Sequence, residues 1–184
     1  LLSALSRRFA LPRESLLVTG GGQQGLDLVR RLFSERGEAA VLVEEPTYPG
    51  ALSLFRPRMA LPFGDAGPDP DQLAAWFGTI VSGSRFFYTV PALHNPTGLC
   101  HSLERKKEIA RIASFLDITI VEDDYLSELL PEKSLRYIDL VPERTIWIKS
   151  LSKTSAPGIR IGILAAPAHL MSSLVRLRAE SDPG

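Results

Sequence analysis

The sequence predicts an α/β fold: a three-layer arrangement in which a mostly parallel sheet is covered by helices on both faces. Three observations predict it. Short apolar runs of strand length alternate with longer stretches of helical periodicity. The short runs are apolar throughout rather than alternating, as in strands buried on both faces. The polar clusters fall just after those runs, where open parallel sheets bind their ligands.

Taken in order, Leu16-Leu17-Val18-Thr19 is a strand stopped by Gly20-Gly21-Gly22. Leu26, Val29 and Phe33, with Leu28 and Leu32 beside them, then keep helical spacing as far as Gly37. Ala40 to Glu44 is a run of strand length, and residues 64–70, Gly-Asp-Ala-Gly-Pro-Asp-Pro, read as a loop. Phe86 to Val90 is a strand. Ile109, Ile112, Ala113 and Leu116 stand at i, i+3, i+4 and i+7, which predicts an amphipathic helix over 103–116 with Ser102 as its N-cap. Ile118 to Val121 is a strand ending at acids, and Thr145 to Ile148 a strand ending at Lys149. Ile161 to Ala165 is one more, followed by a helix from about Ala168 to Ala179. No internal repeat or low-complexity tract interrupts the series.

The chain has 184 residues, enough for one domain with a sizeable core, and its 45% hydrophobic and 23% charged content is that of a globular protein. Acidic and basic residues balance at 21 each, which argues against a dedicated nucleic-acid binder within this segment. A single cysteine, Cys100, excludes an internal disulfide framework and fits a reducing, cytoplasmic compartment. There is no run of about 18 apolar residues for a membrane span, and no signal-peptide pattern. The chain begins Leu-Leu and ends Ser-Asp-Pro-Gly, so both ends are read as cut and the chain as a fragment.

Five polar clusters carry the chemistry, and each has a plain reading beside a functional one. Lys153 sits in Ser150-Leu151-Ser152-Lys153-Thr154-Ser155-Ala156-Pro157-Gly158-Ile159-Arg160. It is either a solvated loop lysine or a Schiff-base lysine whose amine is activated by desolvation or a neighbouring cation such as Arg160. Ser150, Ser152 and Arg160 can bind a phosphate through charge-assisted hydrogen bonds. Gly20-Gly21-Gly22-Gln23-Gln24 is either a tight turn or an anion cradle at a helix N-terminus, and it fits neither the dinucleotide nor the Walker pattern. His94-Asn95-Pro96-Thr97-Gly98 is a turn by composition, or a turn that offers the Asn95 amide to a ligand oxygen. Glu122-Asp123-Asp124-Tyr125 is a set of caps or solvated charges, or holds an Asp that pairs with a protonated ring nitrogen beside a Tyr that reaches a phenolic oxygen. Tyr48, in Glu45-Pro46-Thr47-Tyr48-Pro49-Gly50, is core packing or a platform for a flat ring.

The ordered set resembles the fold-type I pyridoxal-phosphate enzymes, specifically the class I/II aminotransferase superfamily. The segments are Gly-Gly-Gly-Gln-Gln (20–24), Glu-Glu-Pro-Thr-Tyr-Pro-Gly (44–50), Asn-Pro-Thr-Gly (95–98), Glu-Asp-Asp-Tyr (122–125) and Ser-Leu-Ser-Lys-Thr with Pro-Gly-Ile-Arg (150–160). Within that superfamily the chain is most similar to aminotransferases of the 2-aminoadipate type and to the aminotransferase-like domains of GntR-type transcription regulators. The resemblance implies that residues 1–184 are the large, pyridoxal 5'-phosphate-binding domain, without the N-terminal arm and the C-terminal small domain. It implies a homodimer, an amino acid and a 2-oxo acid as small-molecule substrates, and no membrane or nucleic-acid contact through this segment. By the same resemblance Lys153 would form the Schiff base and move the substrate α-proton, Asp123 would pair with the pyridine nitrogen, Asn95 and Tyr125 would hold the phenolic oxygen, and Tyr48 would stack on the ring. Gly21, Gly22 and Gln23 would bind the phosphate from one side, and Ser150, Ser152 and Arg160 from the other. The arginine that binds the substrate carboxylate belongs to the missing small domain, so the isolated segment is expected to be inactive.

Other residues are given plainer roles. Lys149 closes a strand outside the Ser-Lys-Thr context and is read as structural. His94, Cys100 and His101 lack a fourth ligand and are not promoted to a metal site. His169 is placed at the surface, Trp76 and Trp147 in the core, and Glu104-Arg105-Lys106-Lys107-Glu108 on a solvated helix face. Should a substrate carboxylate be held within this segment, Arg58, Arg85 and Arg136 are the first candidates. Two functions stay open: a transaminase, or a ligand-sensing domain attached to a DNA reader.

Overall fold

The computed structural model describes residues 1–131, 134–151 and 160–181. Its helices are α1 (Leu2–Phe9), α2 (Gly22–Glu35), α3 (Pro49–Leu54), α4 (Pro70–Gly78), α5 (Leu103–Phe115), α6 (Tyr137–Leu140) and α7 (Ala168–Ser181). Its strands are β1 (Leu16–Thr19), β2 (Ala39–Glu45), β3 (Met59–Gly64), β4 (Gly67–Pro68), β5 (Ser84–Thr89), β6 (Ile118–Asp124), β7 (Thr145–Ser150) and β8 (Gly162–Ala165). They form an 8-stranded sheet in the order β1-β8-β7-β6-β5-β2-β3-β4. The centre, β3-β2-β5-β6-β7, is parallel; β8 runs antiparallel between β7 and β1, and β4 antiparallel to β3. The mostly parallel three-layer expectation therefore describes the sheet, with reversals near its two edges.

Side-chain alternation divides the sheet into two faces. On one face Val41, Val43, Phe86, Tyr88, Val121, Ile146, Ile148 and Leu164 pack against α2, α3 and α7. On the other, Leu42, Phe87, Ile118 and Ile120 pack against α4, α5 and α6, while Trp147, Ile163 and Ala165 pack under α1. The Ser102 hydroxyl accepts the Arg105 N–H, so the expected cap of α5 is present. No helix among the described residues is long and apolar enough to cross a membrane.

Several expectations need correction. The strand expected to end at Val121 runs on to Asp124, and the one expected to end at Ile148 runs on to Ser150, so Glu122, Asp123, Asp124 and Lys149 lie inside the sheet. Ladder pairing to β5 and β7 carries β6 past the point where its side chains stop being apolar. The loop expected over 64–70 contains β4 and the first residue of α4, whose N-cap Asp69 accepts the Asp71 N–H and whose N1 is Pro70. Lys106 is not solvated: it stands three residues before Ile109 on the buried stripe of α5, where Nζ donates to Ser134 Oγ and the Leu135 carbonyl. Trp147 is fully buried, but Trp76 is only half-buried against the second core; His169 is exposed.

Candidate active site

The carboxyl ends of the parallel strands meet at a cavity of about 170 Å³ lined by Gly21, Gly22, Gln23, Leu26, Tyr48, Val90, Asn95, Asp123, Tyr125, Ser150 and Arg160. Every site residue expected from the sequence and lying among the described residues is in that lining. Ser152 and Lys153 lie outside the described residues. Larger hollows exist elsewhere on the molecule, one of about 670 Å³ near the start of β2, but they gather none of these residues.

One end of the cavity is built for an anion. β1 stops at Thr19, Gly21 takes φ +102°, and α2 starts at Gly22 with no side chain capping it. Its first-turn N–H groups and the positive end of its dipole thus face the cavity. Thr19 Oγ1 donates to the Gly21 carbonyl at 3.0 Å and the Gly20 N–H donates to Gln24 Oε1 at 2.7 Å, which hold the turn. The turn is also pressed from below: a Cβ on Gly162 of β8 would lie 2.6 Å from Thr19 Oγ1 and 2.7 Å from the Gly21 carbonyl carbon. A Cβ on Gly25 would lie 2.9 Å from Ile148 Cγ2, so α2 sits close over β7. Ser150 faces this start, 3.6 Å from where a Gly22 Cβ would be, and exposed Arg160 adds a guanidinium in a left-handed conformation.

The other end carries a carboxylate. On β6, Asp123 shares the α2-facing side with Val121, whereas Glu122 and Asp124 point to the opposite face. Alternation thereby selects Asp123 from three adjacent acids. Its Oδ2 accepts a 2.8 Å hydrogen bond from the hydroxyl of fully buried Tyr88, and burial followed by the Asp123 charge pushes the Tyr88 phenol well above its ordinary range. Tyr88 therefore stays the donor and Asp123 the acceptor. Tyr88 is a residue that motif reading missed; the signal was its parity with Phe86 and Val90 at the end of β5. Tyr125 donates to the Leu93 carbonyl at 2.7 Å, and burial then Asp123 raise its pKa. Tyr48 reaches Gln23 Oε1 at 3.3 Å and its ring fills the space over Gly50, where a Cβ would lie 2.4 Å from it.

Alternation also disposes of Lys149. On β7, Ile146 and Ile148 face α2 as Ser150 does, while Trp147 and Lys149 face away from the cavity. Lys149 is 0% exposed, with Nζ 3.0 Å from Asp124 Oδ1 and 3.7 Å from Glu128 Oε2, so it is structural as expected. The three arginines considered for a carboxylate are engaged elsewhere. Arg58 donates to the Leu52 and Phe55 carbonyls, Arg85 to those of Leu116 and Ile80, and Arg136 to Asp139 and the Phe9 carbonyl while lying over Trp147. His94 and His101 both approach Glu44, and no cluster of three or more side chains that could hold a metal ion occurs among the described residues.

Comparison with known proteins places this geometry in context. The family model "Aminotransferase class I and II" matches residues 1–181. The chain is 34% identical over 179 residues to 2-aminoadipate transaminase of Thermus thermophilus, covering 92% of this chain and 44% of that protein. It is 31% identical over 178 residues to the HTH-type transcriptional regulator YdfD of Bacillus subtilis, covering 92% of this chain and 36% of the regulator. Among solved structures it is similar to LysN, the α-aminoadipate aminotransferase of Thermus thermophilus complexed with N-(5'-phosphopyridoxyl)-L-leucine, at TM-score 0.88 and 28% identity, covering 98% of this chain and 48% of that one. The chain thus spans less than half the length of these relatives.

Proposed function

The chain belongs to the class I and II aminotransferase family, and from that premise we propose that it is the cofactor-binding part of a pyridoxal-phosphate transaminase acting on an α-amino acid and a 2-oxo acid. The observation that carries the proposal is the single cavity with an uncapped helix start, Ser150 and Arg160 at one end and buried Asp123 at the other. That donor set fits the cofactor. The glycine turn, packed so closely on β8 that Gly162 has no room for a Cβ, would offer backbone N–H groups to a phosphate. Asp123 would offer its carboxylate to a ring nitrogen, Asn95 a donor to a ring oxygen, and Tyr48 a face to the ring; Tyr125 would offer a second donor to that oxygen by turning its O–H from the Leu93 carbonyl.

Bound pyridoxal phosphate supplies an electron sink for the carbon bearing the amino group. The chain's own residues do the rest. Asp123, oriented by Tyr88, keeps a proton on the ring nitrogen, because a buried carboxylate next to that nitrogen favours its charged form. Gly21, Gly22, Gln23, Ser150, Ser152 and Arg160 anchor the phosphate and so fix where the ring lies. Lys153 would hold the cofactor through its amine and would be the group that carries the substrate α-proton. We further propose that the active protein is a cytoplasmic homodimer, and that groups beyond these 184 residues complete carboxylate recognition, since Arg58, Arg85 and Arg136 are committed to backbone and ion-pair contacts.

A second reading has its own support in the likeness to the HTH-type regulator: a ligand-sensing domain with the same cavity. The two separate in one experiment. The full-length protein is loaded with pyridoxal phosphate and mixed with a panel of amino acids. The transaminase reading expects absorbance change with release of 2-oxo acid; the regulator reading expects absorbance change without turnover. Borohydride reduction and peptide mapping should place the pyridoxyl group on Lys153, and label on Lys149 would refute the assignment.

A further inference from the structure

Beneath the cavity, on the opposite face of the sheet, lies a polar cluster that none of the roles above uses. Glu44, one residue before the end of β2, has its carboxylate fully buried. Its Oε1 accepts from Thr89 Oγ1 at 2.5 Å and lies 2.7 Å from His101 Nε2; its Oε2 accepts the Val90 N–H at 2.9 Å. His94 Nε2 stands 3.2 Å from Oε2 but off the line of a hydrogen bond, and among the described residues it has no other partner. Each ring is held on its far side, His94 Nδ1 by Thr97 Oγ1 at 3.0 Å and His101 Nδ1 by the Tyr137 hydroxyl at 3.0 Å. Phe63 stacks on His94 with ring centroids 4.0 Å apart, and the His101 ring packs on Gly67, where a Cβ would lie 2.8 Å from it.

The chain positions touched by this cluster are those that wall the cavity. Val90, whose N–H Glu44 holds, lines it. His94 immediately precedes Asn95, which also lines it. Between them, Leu93 gives its carbonyl to Tyr125, and its N–H points to Cys100 Sγ at 3.3 Å. The loop returns on itself through Gly98 N–H to the His94 carbonyl and His94 N–H to the Leu99 carbonyl. A loop of this kind has no sheet ladder to place it; besides its own backbone returns and the Tyr125 bond, the Glu44 carboxylate holds it from behind through the Val90 N–H and the approach of the His94 and His101 rings.

We propose that Glu44 is a positioning residue of the active site: through the Val90 amide and the His94 ring it fixes segment 90–95, and with it the Asn95 amide aimed into the cavity. The proposal rests on the reading of that cavity as the pyridoxal-phosphate site. An amide donor held against a ring oxygen stabilises the ionised oxygen, so loss of its placement raises the pH at which the bound chromophore titrates. The test uses the full-length protein loaded with pyridoxal phosphate and follows the pH midpoint of cofactor absorbance in wild type, Glu44→Gln, Asn95→Ala and the double variant. Asn95→Ala should raise the midpoint by about one pH unit, the scale of one lost hydrogen bond to a charged group. Glu44→Gln should raise it comparably, and the double variant no further than Asn95→Ala alone, because two residues acting through one contact are not additive. His94→Gln, which leaves the buried carboxylate with its other donors, should give the same non-additive shift and stands in if Glu44→Gln does not fold. Normal wild-type titration with an unmoved midpoint in the folded Glu44 or His94 variant, or shifts that add in full, overturns this inference alone. A wild-type protein that shows no bound-cofactor absorbance overturns the cofactor reading and this inference with it.

Discussion

Replacing Lys149 by Met removes a buried ammonium and keeps much of its stem volume. Lys149 is fully buried, 3.0 Å from Asp124 Oδ1 and 3.7 Å from Glu128 Oε2. Removing one partner of a buried pair costs about 3–5 kcal/mol, because the other charge is left uncompensated. Asp124 keeps donors from Trp147 Nε1 at 3.2 Å, Ser127 N–H at 3.1 Å and Ser127 Oγ at 2.7 Å, and Glu128 keeps Arg8 at 2.6 Å, so the loss should fall near the lower end, about 3 kcal/mol. At roughly 2–4 °C per kcal/mol for a unit of this size, thermal unfolding should drop by roughly 6–12 °C. Differential scanning calorimetry measures the shift, and cofactor absorbance below the transition tests the site. The expected outcome is a less stable protein that still takes up pyridoxal phosphate, since Lys149 faces away from the cavity. A folded Lys149→Met protein of unchanged stability that no longer binds the cofactor would refute both the pairing and the assignment of Lys153.

Tyr88→Phe removes the donor at 2.8 Å from Asp123; a hydrogen bond to a charged group is worth about 1.5–3 kcal/mol, so turnover should fall roughly 10- to 100-fold with little change in KM, and unchanged kcat would mean that Asp123 is oriented by other groups. Gly162→Ala places a Cβ 2.7 Å from the Gly21 carbonyl carbon, and overpacking of about 1–3 kcal/mol should appear as weaker cofactor binding by equilibrium dialysis; an unaltered Kd would show that the turn can shift without loss. Burial raises Glu122 and the Asp124 charge raises it further, to about 8, so between the ordinary 4.5 and 8 the folded state keeps a proton that the unfolded state releases. Stability should therefore decline as pH rises through that window. Burial also raises Glu44, but the His101 hydrogen bond and the close approach of both imidazoles outweigh it and bring it to about 2, so stability is lost as pH falls from 4.5 towards 2. Urea unfolding across pH checks both limbs, and Glu122→Gln should flatten the upper one.

Much of the site was legible because its residues come in short runs tied to strand ends. Gly21, Gly22, Gln23, Tyr48, Asn95, Asp123, Tyr125, Ser150 and Arg160 were all named from such runs, and all line one cavity. The choice of Asp123 over Asp124 rests on resemblance and the setting aside of Lys149 on its place at a strand end outside the Ser-Lys-Thr context; strand parity turns Asp123 toward the cavity and Lys149 away from it once β6 and β7 are known to continue through Asp124 and Ser150. That continuation was not legible, since apolar runs stop where polar side chains begin while backbone pairing does not. Helix α4 was hidden by Pro and Asp residues that look like loop and act as N1 and N-cap. Lys106 was taken for a solvated residue because composition reports charge and not the face on which it falls. Tyr88 and the Glu44 cluster join residues far apart in sequence, up to 57 positions for Glu44 and His101, and no local pattern announces such a pair.

The distribution of buried charge over the two faces bears on how the cavity holds its shape. Toward the cavity the sheet presents one buried carboxylate, Asp123, bonded to Tyr88. On the reverse face lie Glu44 with two histidines, Glu122, and Asp124 with Lys149, all buried at the same ends of β2, β6 and β7. Such groups cost desolvation that their mutual attraction repays only with good geometry, and apolar residues of the same size would often serve stability as well. What they supply is direction: a carboxylate with several donors admits one arrangement of its neighbours, where an apolar contact admits many. Besides bonds to Thr89, Trp147 and Lys149 on neighbouring strands, their contacts reach segments beyond the strand ends, at Val90, His94, Ser127 and the α6 residue Ile138. The strands need no such help, since the ladder fixes them. The loops do, and it is the loops that must hold Asn95 and Tyr125 to within a fraction of an ångström for their donors to be useful. A polar layer behind the sheet can perform that task without placing any additional charge against the ligand.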